Sequence, residues 1–317
     1  MRRVSTMIGS AAMVATAGLL FAGMQTENLE TYTRVPFPES PKPALNRATI
    51  LFGGDMMFDR SVRVAMEDRS VDHVFSCIRD LLTGVDLVVA NLEGSITPFA
   101  SKSVGTVSGG VGNTIFTFAT STADLLFRHN IRLVNLGNNH IMDFSREGLF
   151  ETKKWLDSAS VAYFGDPDLP EADRVERISI HSIPFSFVNW SDWTSDKTDH
   201  TVAQIGKEAE AGRVVVVYTH WGEEYVPPPE RVKQLARSFV DAGAEIVIGS
   251  HPHIVQEAEF YDGKHIYYSL GNFVFDQYWE EAVRRGLLLR VTFTPTGVSS
   301  VEELPIDNQA DRQTCPA

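Results

Sequence analysis

Apolar and polar positions alternate in blocks from residue 48 onward, and the blocks predict short strands separated by amphipathic helices. The pattern predicts strands at 48–53, 86–90, 131–136, 213–218 and 245–248, one or two more within 177–190, and helices at 71–82, 121–128, 146–158 and 230–242. A Gly/Ser-rich stretch at 101–113 indicates a mobile loop. Hairpins follow at 256–269, around Asp262-Gly263, and at 287–302, around Gly297. This alternation is typical of a layered α/β protein.

Five predicted strands run directly into side chains that bind metals or transfer protons. These side chains are Asp55, Asn91 and Glu93, Asn138 with Asn139 and His140, His220, and His251 with His253. In an open α/β sheet the carboxyl ends of the strands converge on one crevice, where ligands bind. The sequence therefore predicts a metal-assisted site assembled from strand ends.

Two of these side chains are carboxylates next to glycines. Asp55 follows a Gly pair that lets the backbone turn, so its carboxylate can point into the crevice, although an Asp here could equally cap a helix. Glu93 lies two residues after Asn91 and could bridge two cations. Taken alone, Glu93 is more typical of an acid in a surface loop.

The block GNNH supplies a neutral oxygen ligand in Asn139 and a candidate general acid in His140. Asp143 is close enough in sequence to hold the His140 imidazole in the required tautomer. The alternative is that Asn138 and Asn139 are turn residues that tolerate a positive φ.

The remaining candidates are histidines that follow apolar strands. His220 ends a run of valines, where an isolated His is usually a hydrogen-bonded core residue. His251 and His253 flank Pro252, which fixes the backbone so that both imidazoles lie on one side. An HxH pair by itself is a moderately specific sign of a metal site. The four other strand ends that carry ligand side chains strengthen this interpretation.

Composition restricts the class of partner. Twenty-eight Lys and Arg stand against 41 Asp and Glu, which gives a net charge of −13 and argues against nucleic acid as a partner. The same charge would repel an anionic polymer unless bound cations reverse the sign in the cleft. With 317 residues and 43% hydrophobic content, the chain can form one large α/β domain.

The ends of the chain differ from this domain. Arg2 and Arg3 precede a mildly apolar stretch, so residues 1–24 read as a cleaved signal peptide or an uncleaved membrane anchor that directs export to the periplasm or the outer face of a membrane. Residues 25–47 form a Pro-rich linker, and 306–317 a C-terminal tail. The two cysteines, Cys77 and Cys315, could pair in an oxidising compartment.

Six blocks in order carry a family resemblance: GDMMFDR, NLEGSIT, GNNHIMDFSREGL, THWGEEY, GSHPHIVQ and YSLGNFVFDQ. Together they resemble the capsule synthesis CapA family, which is associated with poly-γ-glutamate capsule formation and is similar in fold to the calcineurin-like metallophosphatases. The resemblance covers roughly residues 48–293 and implies one domain at 48–305. It implies an α/β fold in which a β-sandwich is flanked by helices, in four layers α/β/β/α.

The resemblance also implies roles for individual residues and one or two divalent ions, with Mn, Fe or Zn as the candidates. Asp55 and His253 would bind the first ion, Glu93 would bridge, Asn139, His220 and His251 would bind the second ion, and His140 would be the proton donor. The candidate substrate contacts are Arg60, Asn91 and Asn272. Arg60 could clamp an anionic group or form a salt bridge within the fold.

The chain departs from the metallophosphatase pattern at two positions. Met57 stands where those enzymes carry a His, so the first ion loses an imidazole. The chain has NLE in place of their second Asp-containing block, so Glu93, with its longer side chain, would have to bridge the two ions.

Two hypotheses follow from the sequence. The chain is either a hydrolase of an envelope phosphoester or amide bond, or a membrane-tethered, non-catalytic part of a complex that synthesises or exports a capsule polymer.

Overall fold

The computed structural model describes residues 46–194 and 196–317; the predicted leader and nearly all of the Pro-rich linker lie outside these ranges. The described helices are α1 (Arg60–Asp68), α2 (Arg79–Thr83), α3 (Ser121–Arg128), α4 (Ser145–Ser158), α5 (Thr198–Glu210), α6 (Glu230–Asp241) and α7 (Glu281–Arg284). The described strands are β1 (Ala48–Met56), β2 (Leu87–Leu92), β3 (Ser95–Ile96), β4 (Thr117–Phe118), β5 (Ile131–Asn135), β6 (Ala162–Phe164), β7 (Glu176–Ile180), β8 (Ile183–Ser191), β9 (Val214–His220), β10 (Ile246–Ser250), β11 (Ala258–Tyr261), β12 (Lys264–Tyr267), β13 (Asn272–Val274), β14 (Arg285–Thr294), β15 (Gly297–Asn308) and β16 (Thr314–Pro316).

The strands form two large sheets. The first has the order β16-β15-β14-β1-β2-β5-β6, with β13 paired to the end of β1, and the second has the order β11-β12-β10-β9-β8-β7. The central strands β1, β2, β5 and β6 are parallel, as are β8, β9, β10 and β12. Both sheets therefore direct several carboxyl ends to one edge. A small parallel pair, β3 and β4, lies beside them.

Three apolar clusters show how the layers pack. Neighbouring residues of β1 belong to two different clusters. Phe52 packs between the two sheets with Phe187 of β8, whereas Leu51 faces the helices of the first sheet. The third cluster joins Val217 of β9 to Phe239 of α6 on the outer side of the second sheet. Helices therefore cover both outer faces of a β-sandwich, which confirms the α/β fold class and gives the layer order α/β/β/α. Because side chains alternate between the two faces of a strand, each sheet buries one face against the other sheet and the opposite face against helices.

Most predicted strands and helices lie where the sequence placed them, but the predicted helix at 71–82 is wrong in extent. The structure has a 3₁₀ turn at His73–Phe75 and the short α2, because Ile78 between them has a non-helical backbone (φ −119°, ψ 12°). Most of the apolar side chains that suggested one helix, including Phe75 and Leu82, are buried, but they come from two separate short elements.

The C-terminal residues belong to the first sheet. β15 continues to Asn308, and β16 pairs with it in antiparallel register, Asn308 opposite Thr314. Cys315 of β16 forms a disulfide with Cys77, 238 positions earlier in the chain. The segment predicted as a tail is thus held to the body of the domain by strand pairing and by a covalent bond.

In the part of the chain that the structure describes, none of the helices has the length and apolar character required to cross a bilayer.

Candidate metal centre

The predicted site residues meet at the carboxyl ends of the parallel strands. Asp55 lies near the end of β1, in register with Asn91 of β2, and Glu93 follows β2 directly. His220 is the last residue of β9 and pairs with Ser250, the last residue of β10. His251 and His253 follow β10, and Asn139 and His140 follow β5. Residues far apart in sequence are therefore adjacent because neighbouring strands end together.

The acids and imidazoles form two adjacent groups that share Glu93. The first group is Asp55, Glu93 and His253, and the second is Glu93, His220 and His251. Within each group, one ligand atom of each residue lies within 4.8 Å of the others, and all five residues are buried. The groups match the partition that the family resemblance implied, with Glu93 in the bridging position. The ligand roles themselves stay predictions.

A hydrogen bond fixes the tautomer of His253. The Nδ2 of Asn272 donates to the backbone oxygen of Val283 at 2.8 Å, so its Oδ1 must face His253 Nδ1, 2.9 Å away. His253 Nδ1 therefore carries the proton, and the lone pair is on Nε2, which lies 3.7 Å from Glu93 Oε1. Asn272, predicted as a substrate contact, is fully buried and orients this candidate ligand.

His220 and Asn139, which the resemblance assigns to the second ion, are in direct contact. His220 Nε2 lies 2.8 Å from Asn139 Oδ1, and His220 Nδ1 lies 3.0 Å from the Ser250 hydroxyl oxygen. His220 is fully buried, yet it faces other polar groups of the cluster and does not serve as an isolated core histidine.

His251 occupies an unusual position. Its backbone has φ 98°, and its N–H donates to Asp55 Oδ2 at 3.0 Å. Its ring packs against Trp193 (4.0 Å between ring centroids) and lies 4.8 Å from the ring of His220. A positive φ in a non-glycine residue costs free energy, and such strain is concentrated at functional sites.

Burial shifts the pKa values of acids and imidazoles in opposite directions. It raises the pKa of Asp55 to about 6, opposed by the hydrogen bond from the His251 backbone. Burial and then the negative charge of Asp55 raise the pKa of Glu93 well above its usual value. Burial lowers the pKa of His251 to about 4, and those of His220 and His253 well below 6.5. At neutral pH the imidazoles are therefore neutral, with lone pairs available to a cation.

These residues fit a divalent metal. Glu93 Oε1 and His251 Nδ1 are buried and have no hydrogen-bond partner among the residues described. A cation between them would satisfy both atoms and offset the repulsion between the Asp55 and Glu93 carboxylates. The donors are oxygen and nitrogen without thiolate, a set compatible with Mn, Fe or Zn. The site can thus hold metal, and the identity and number of the ions stay predictions.

His140 lies beside the shared carboxylate. Its Nδ1 is 2.9 Å from Asp143 Oδ2, and its Nε2 is 4.0 Å from Glu93 Oε1. The same Asp143 oxygen accepts the backbone N–H of Phe116 at 2.7 Å, which fixes the carboxylate. The expected contact between His140 and Asp143 is present, and the imidazole is partly open to the cleft.

The other predicted residues lie around this cluster. Arg60 was predicted either to clamp an anionic group or to form a salt bridge within the fold. It forms a salt bridge with Asp276, and it also lines the cleft beside His140 and His253. Asn91 is fully buried, with its Nδ2 donating to Asp55 Oδ1 at 2.8 Å, so it lies beneath the cluster.

Met57 is buried in the apolar core, and its sulfur accepts the backbone N–H of Asp59 at 3.0 Å. Its side chain is thus committed to packing and to a turn.

Sequence reasoning missed Ser250, which lies against His220, because a serine at a strand end is too common to be singled out by type. Trp193 packs on His251, and Gln277 accepts a hydrogen bond from Asn272 and donates one to Tyr225. The contacts of these three residues emerge only when the strands are aligned.

The fold and this centre define a class: an α/β protein of the metallophosphatase-like type whose buried Asp, Glu and His groups can hold metal ions. The sequence model described as "Bacterial capsule synthesis protein PGA_cap" matches residues 49–277. The chain belongs to this family, which confirms the resemblance to the CapA proteins.

Individual relatives agree. The chain is 29% identical over 298 residues to the PGA biosynthesis protein CapA of Bacillus subtilis (strain 168), covering 85% of this chain and 74% of the relative. It is 27% identical over 313 residues to the capsule biosynthesis protein CapA of Bacillus anthracis, covering 92% and 74%. A probable polyglutamine synthesis accessory protein of Mycobacterium tuberculosis (strain ATCC 25618 / H37Rv) is 29% identical over 169 residues, 44% of each chain.

Proposed function

We propose that this chain is an exported, metal-dependent hydrolase that cleaves a phosphoester or amide bond during the synthesis of an anionic capsule polymer. The observation that carries the proposal is the His140–Asp143 pair placed beside Glu93, the carboxylate shared by two buried metal-ligating groups. An acid/base pair next to a candidate two-ion centre is an arrangement suited to hydrolysis.

His140 would donate a proton to the leaving group. Asp143 accepts a hydrogen bond from Nδ1–H, so the ring is held in one orientation with Nε2 directed toward the cluster. As a general acid, His140 would carry the proton that it transfers on Nε2. Phe116 packs against the ring, 4.4 Å between centroids, and prevents it from rotating away.

The candidate ligands are Asp55 and His253 on one side of Glu93 and His220 with His251 on the other. A divalent ion held there would act as a Lewis acid on the substrate and supply a nucleophile near neutral pH.

The cleft beside His140 supports a substrate with an anionic group. Arg60 lines it, and its guanidinium carbon lies 5.1 Å from the ring centre of Phe116 and 5.4 Å from that of Phe275. Packing between two rings holds the guanidinium plane in place, which favours binding of a carboxylate or phosphate. The cleft continues along the 101–113 loop and Trp279, so it can accommodate more than one unit of a polymer.

The names of the relatives support the polymer. Proteins named for capsule and PGA synthesis suggest an anionic envelope polymer, a small phosphoester or a peptide as the substrate, and a membrane complex for capsule synthesis as the partner. Because the chain carries a net charge of −13, an anionic polymer would enter only where cations reverse the local sign.

Export is part of the proposal. The Cys77–Cys315 disulfide supports it, because disulfides persist in oxidising compartments. A fusion of residues 1–24 to a reporter active only outside the cytoplasm should give signal, and its absence would contradict export.

The test of the activity is metal analysis of the purified protein combined with a screen on phosphodiesters and γ-glutamyl peptides. We expect bound Mn, Fe or Zn and turnover that a chelator abolishes. Turnover that persists in metal-free protein would contradict the proposal.

One observation favours a second function. Met57 is committed to the core, so the first group lacks the imidazole that the metallophosphatase resemblance would supply. A non-catalytic, membrane-tethered component that binds the polymer through metal would tolerate this loss. Full capsule formation in cells that carry His140→Ala, with metal retained, would favour this second function.

A further inference from the structure

Three buried amides lie in a row that ends at Asp55. Asp55, Asn91 and Asn135 occupy matching positions on the adjacent parallel strands β1, β2 and β5. Asn189, on β8 of the other sheet, continues the row across the sandwich. All three asparagines are buried, with at most 6% of their surface exposed. Buried amides are normally held by hydrogen bonds, and in this row only the Asn189 Oδ1 lacks a partner among the described residues.

The hydrogen bonds in this row all run in one direction. Asn189 Nδ2 donates to Asn135 Oδ1 at 2.9 Å, and Asn135 Nδ2 donates to Asn91 Oδ1 at 3.0 Å. Asn91 Nδ2 then donates to Asp55 Oδ1 at 2.8 Å. The positive end of each amide dipole therefore faces the next residue toward the carboxylate.

Contacts with residues outside the row fix this direction independently. The N–H of Gly137 donates to Asn135 Oδ1 at 3.1 Å, so the Asn135 Nδ2 must face Asn91. Asn138 accepts the N–H groups of two following residues, at 3.0 and 2.9 Å, so its own Nδ2 also faces Asn91 Oδ1, 3.1 Å away. With two donors on its oxygen, Asn91 can present only its N–H groups to Asp55.

Two glycines make room for the row. A Cβ at Gly137 would lie 2.2 Å from Asn189 Oδ1, and a Cβ at Gly165 would lie 2.7 Å from Asn135 Oδ1. Gly165 also has φ +75°, which L side chains rarely adopt. The local backbone thus accommodates the amides at positions where any larger residue would displace them.

We propose that Asn135 and Asn189 are positioning residues of the metal centre, which act through Asn91 to hold the Asp55 carboxylate in its ligand orientation. Neutral amides suit this role because they donate hydrogen bonds to a buried carboxylate without adding a positive charge. A Lys or Arg in the same place would orient the carboxylate too, but it would repel the cation that the site is built to hold. This inference rests on the metal-binding part of the proposed function.

The test is calorimetric titration of the metal-free protein with Mn²⁺ alone and with Zn²⁺ alone. Outer residues that orient ligands typically change metal affinity by about 10- to 100-fold. We expect Asn135→Leu to raise the Kd by about 10- to 100-fold and Asn189→Leu, one link further away, to raise it by less. The matched control is Ser186→Ala, because Ser186 is buried in the same strand β8 and hydrogen-bonds Glu208 away from the row. Its Kd should stay within about twofold of wild type.

The outcomes separate the two proposals. If the wild-type protein binds neither ion, the metal-dependent function is wrong, and the positioning role is wrong with it. If the wild type binds but folded Asn135→Leu and Asn189→Leu bind equally well, the positioning role alone is overturned. Thermal unfolding of the metal-free variants tests for a merely structural role. In that case the rise in Kd would be proportional to the loss of stability in all the variants, Ser186→Ala included. Should Asn135→Leu fail to fold, Asn189→Leu decides the question.

Discussion

The two groups that meet at Glu93 differ in chemistry. The first combines the carboxylates of Asp55 and Glu93 with one imidazole, whereas the second combines Glu93 with two imidazoles and has the Asn139 oxygen 2.8 Å from one of them. Carboxylate-rich sets suit hard ions such as Mn²⁺, and imidazole-rich sets suit Zn²⁺ and Fe²⁺. The difference suggests that one centre can hold two ions of unequal affinity, with Zn²⁺ entering the second group first.

The largest expected effect comes from the residue that both groups share. Glu93→Gln should raise the Kd at both groups by at least about 100-fold, so that dialysed protein retains no metal. The metal-free variant should be more stable than metal-free wild type, because an uncompensated buried carboxylate is removed. Elemental analysis and thermal unfolding measure the two effects. Glu67→Gln, at an exposed side chain, is the control. Loss of metal from only one group would show that Glu93 does not bridge.

The next effect separates the catalyst from the ligands. His140→Ala should lower turnover by roughly 10²- to 10⁴-fold, the usual contribution of a positioned proton donor, while metal content stays nearly unchanged. His251→Ala should lose the ion of the second group and activity together. Steady-state kinetics and elemental analysis on the same samples test both. Equal loss of metal in the two variants would mean that His140 is a ligand or a structural residue.

A smaller effect distinguishes the two groups directly. His253→Ala should remove the ion of the first group and spare the second, and His251→Ala should do the reverse. Titration with Zn²⁺ should therefore give one ion per chain in each variant, with the higher affinity in His253→Ala because the two imidazoles of the second group remain. Identical isotherms for the two variants would contradict the assignment of the groups.

The smallest effect is on pH dependence. Because burial raises the pKa of Asp55 to about 6, a proton competes with metal at this carboxylate, and affinity should fall as the pH drops through about 6. In the metal-free protein the raised pKa stabilises the fold below the usual value of 3.8, and this contribution is lost as the pH rises through about 6. Unfolding and metal titration from pH 4 to 8 measure both trends. The three imidazoles with lowered pKa values oppose this trend, so Asp55 is isolated by comparison with Asp55→Asn. A pH profile of metal-free stability from 4 to 7 that Asp55→Asn leaves unchanged in slope would contradict this assignment.

Much of the site could be predicted because strand ends are visible in the sequence. Apolar runs that end at Asp55, His220 and Ser250 locate the ends of β1, β9 and β10, and parallel pairing then brings them together. The sandwich came from the family resemblance, and the order of the strands was not predicted, since pattern alone indicates that strands exist and does not say which are neighbours.

The parts that were missed depend on contacts that no local pattern records. α5 was missed because its sequence is largely polar, with few positions buried. Asn272 was predicted to touch substrate, and its role as the partner of His253 follows from β13 pairing with the end of β1. Asn135 and Asn189 lie 54 residues apart and give no signal until the two sheets are packed face to face.

The central claim is that Glu93 is the shared ligand of a metal centre, and anomalous diffraction tests it most directly. Crystals grown with Mn²⁺ or Zn²⁺ should show anomalous density in contact with the Glu93 carboxylate and with at least one of the His220–His251 pair or His253. Anomalous density absent from this cleft at saturating metal, or present only at surface carboxylates, would contradict the account.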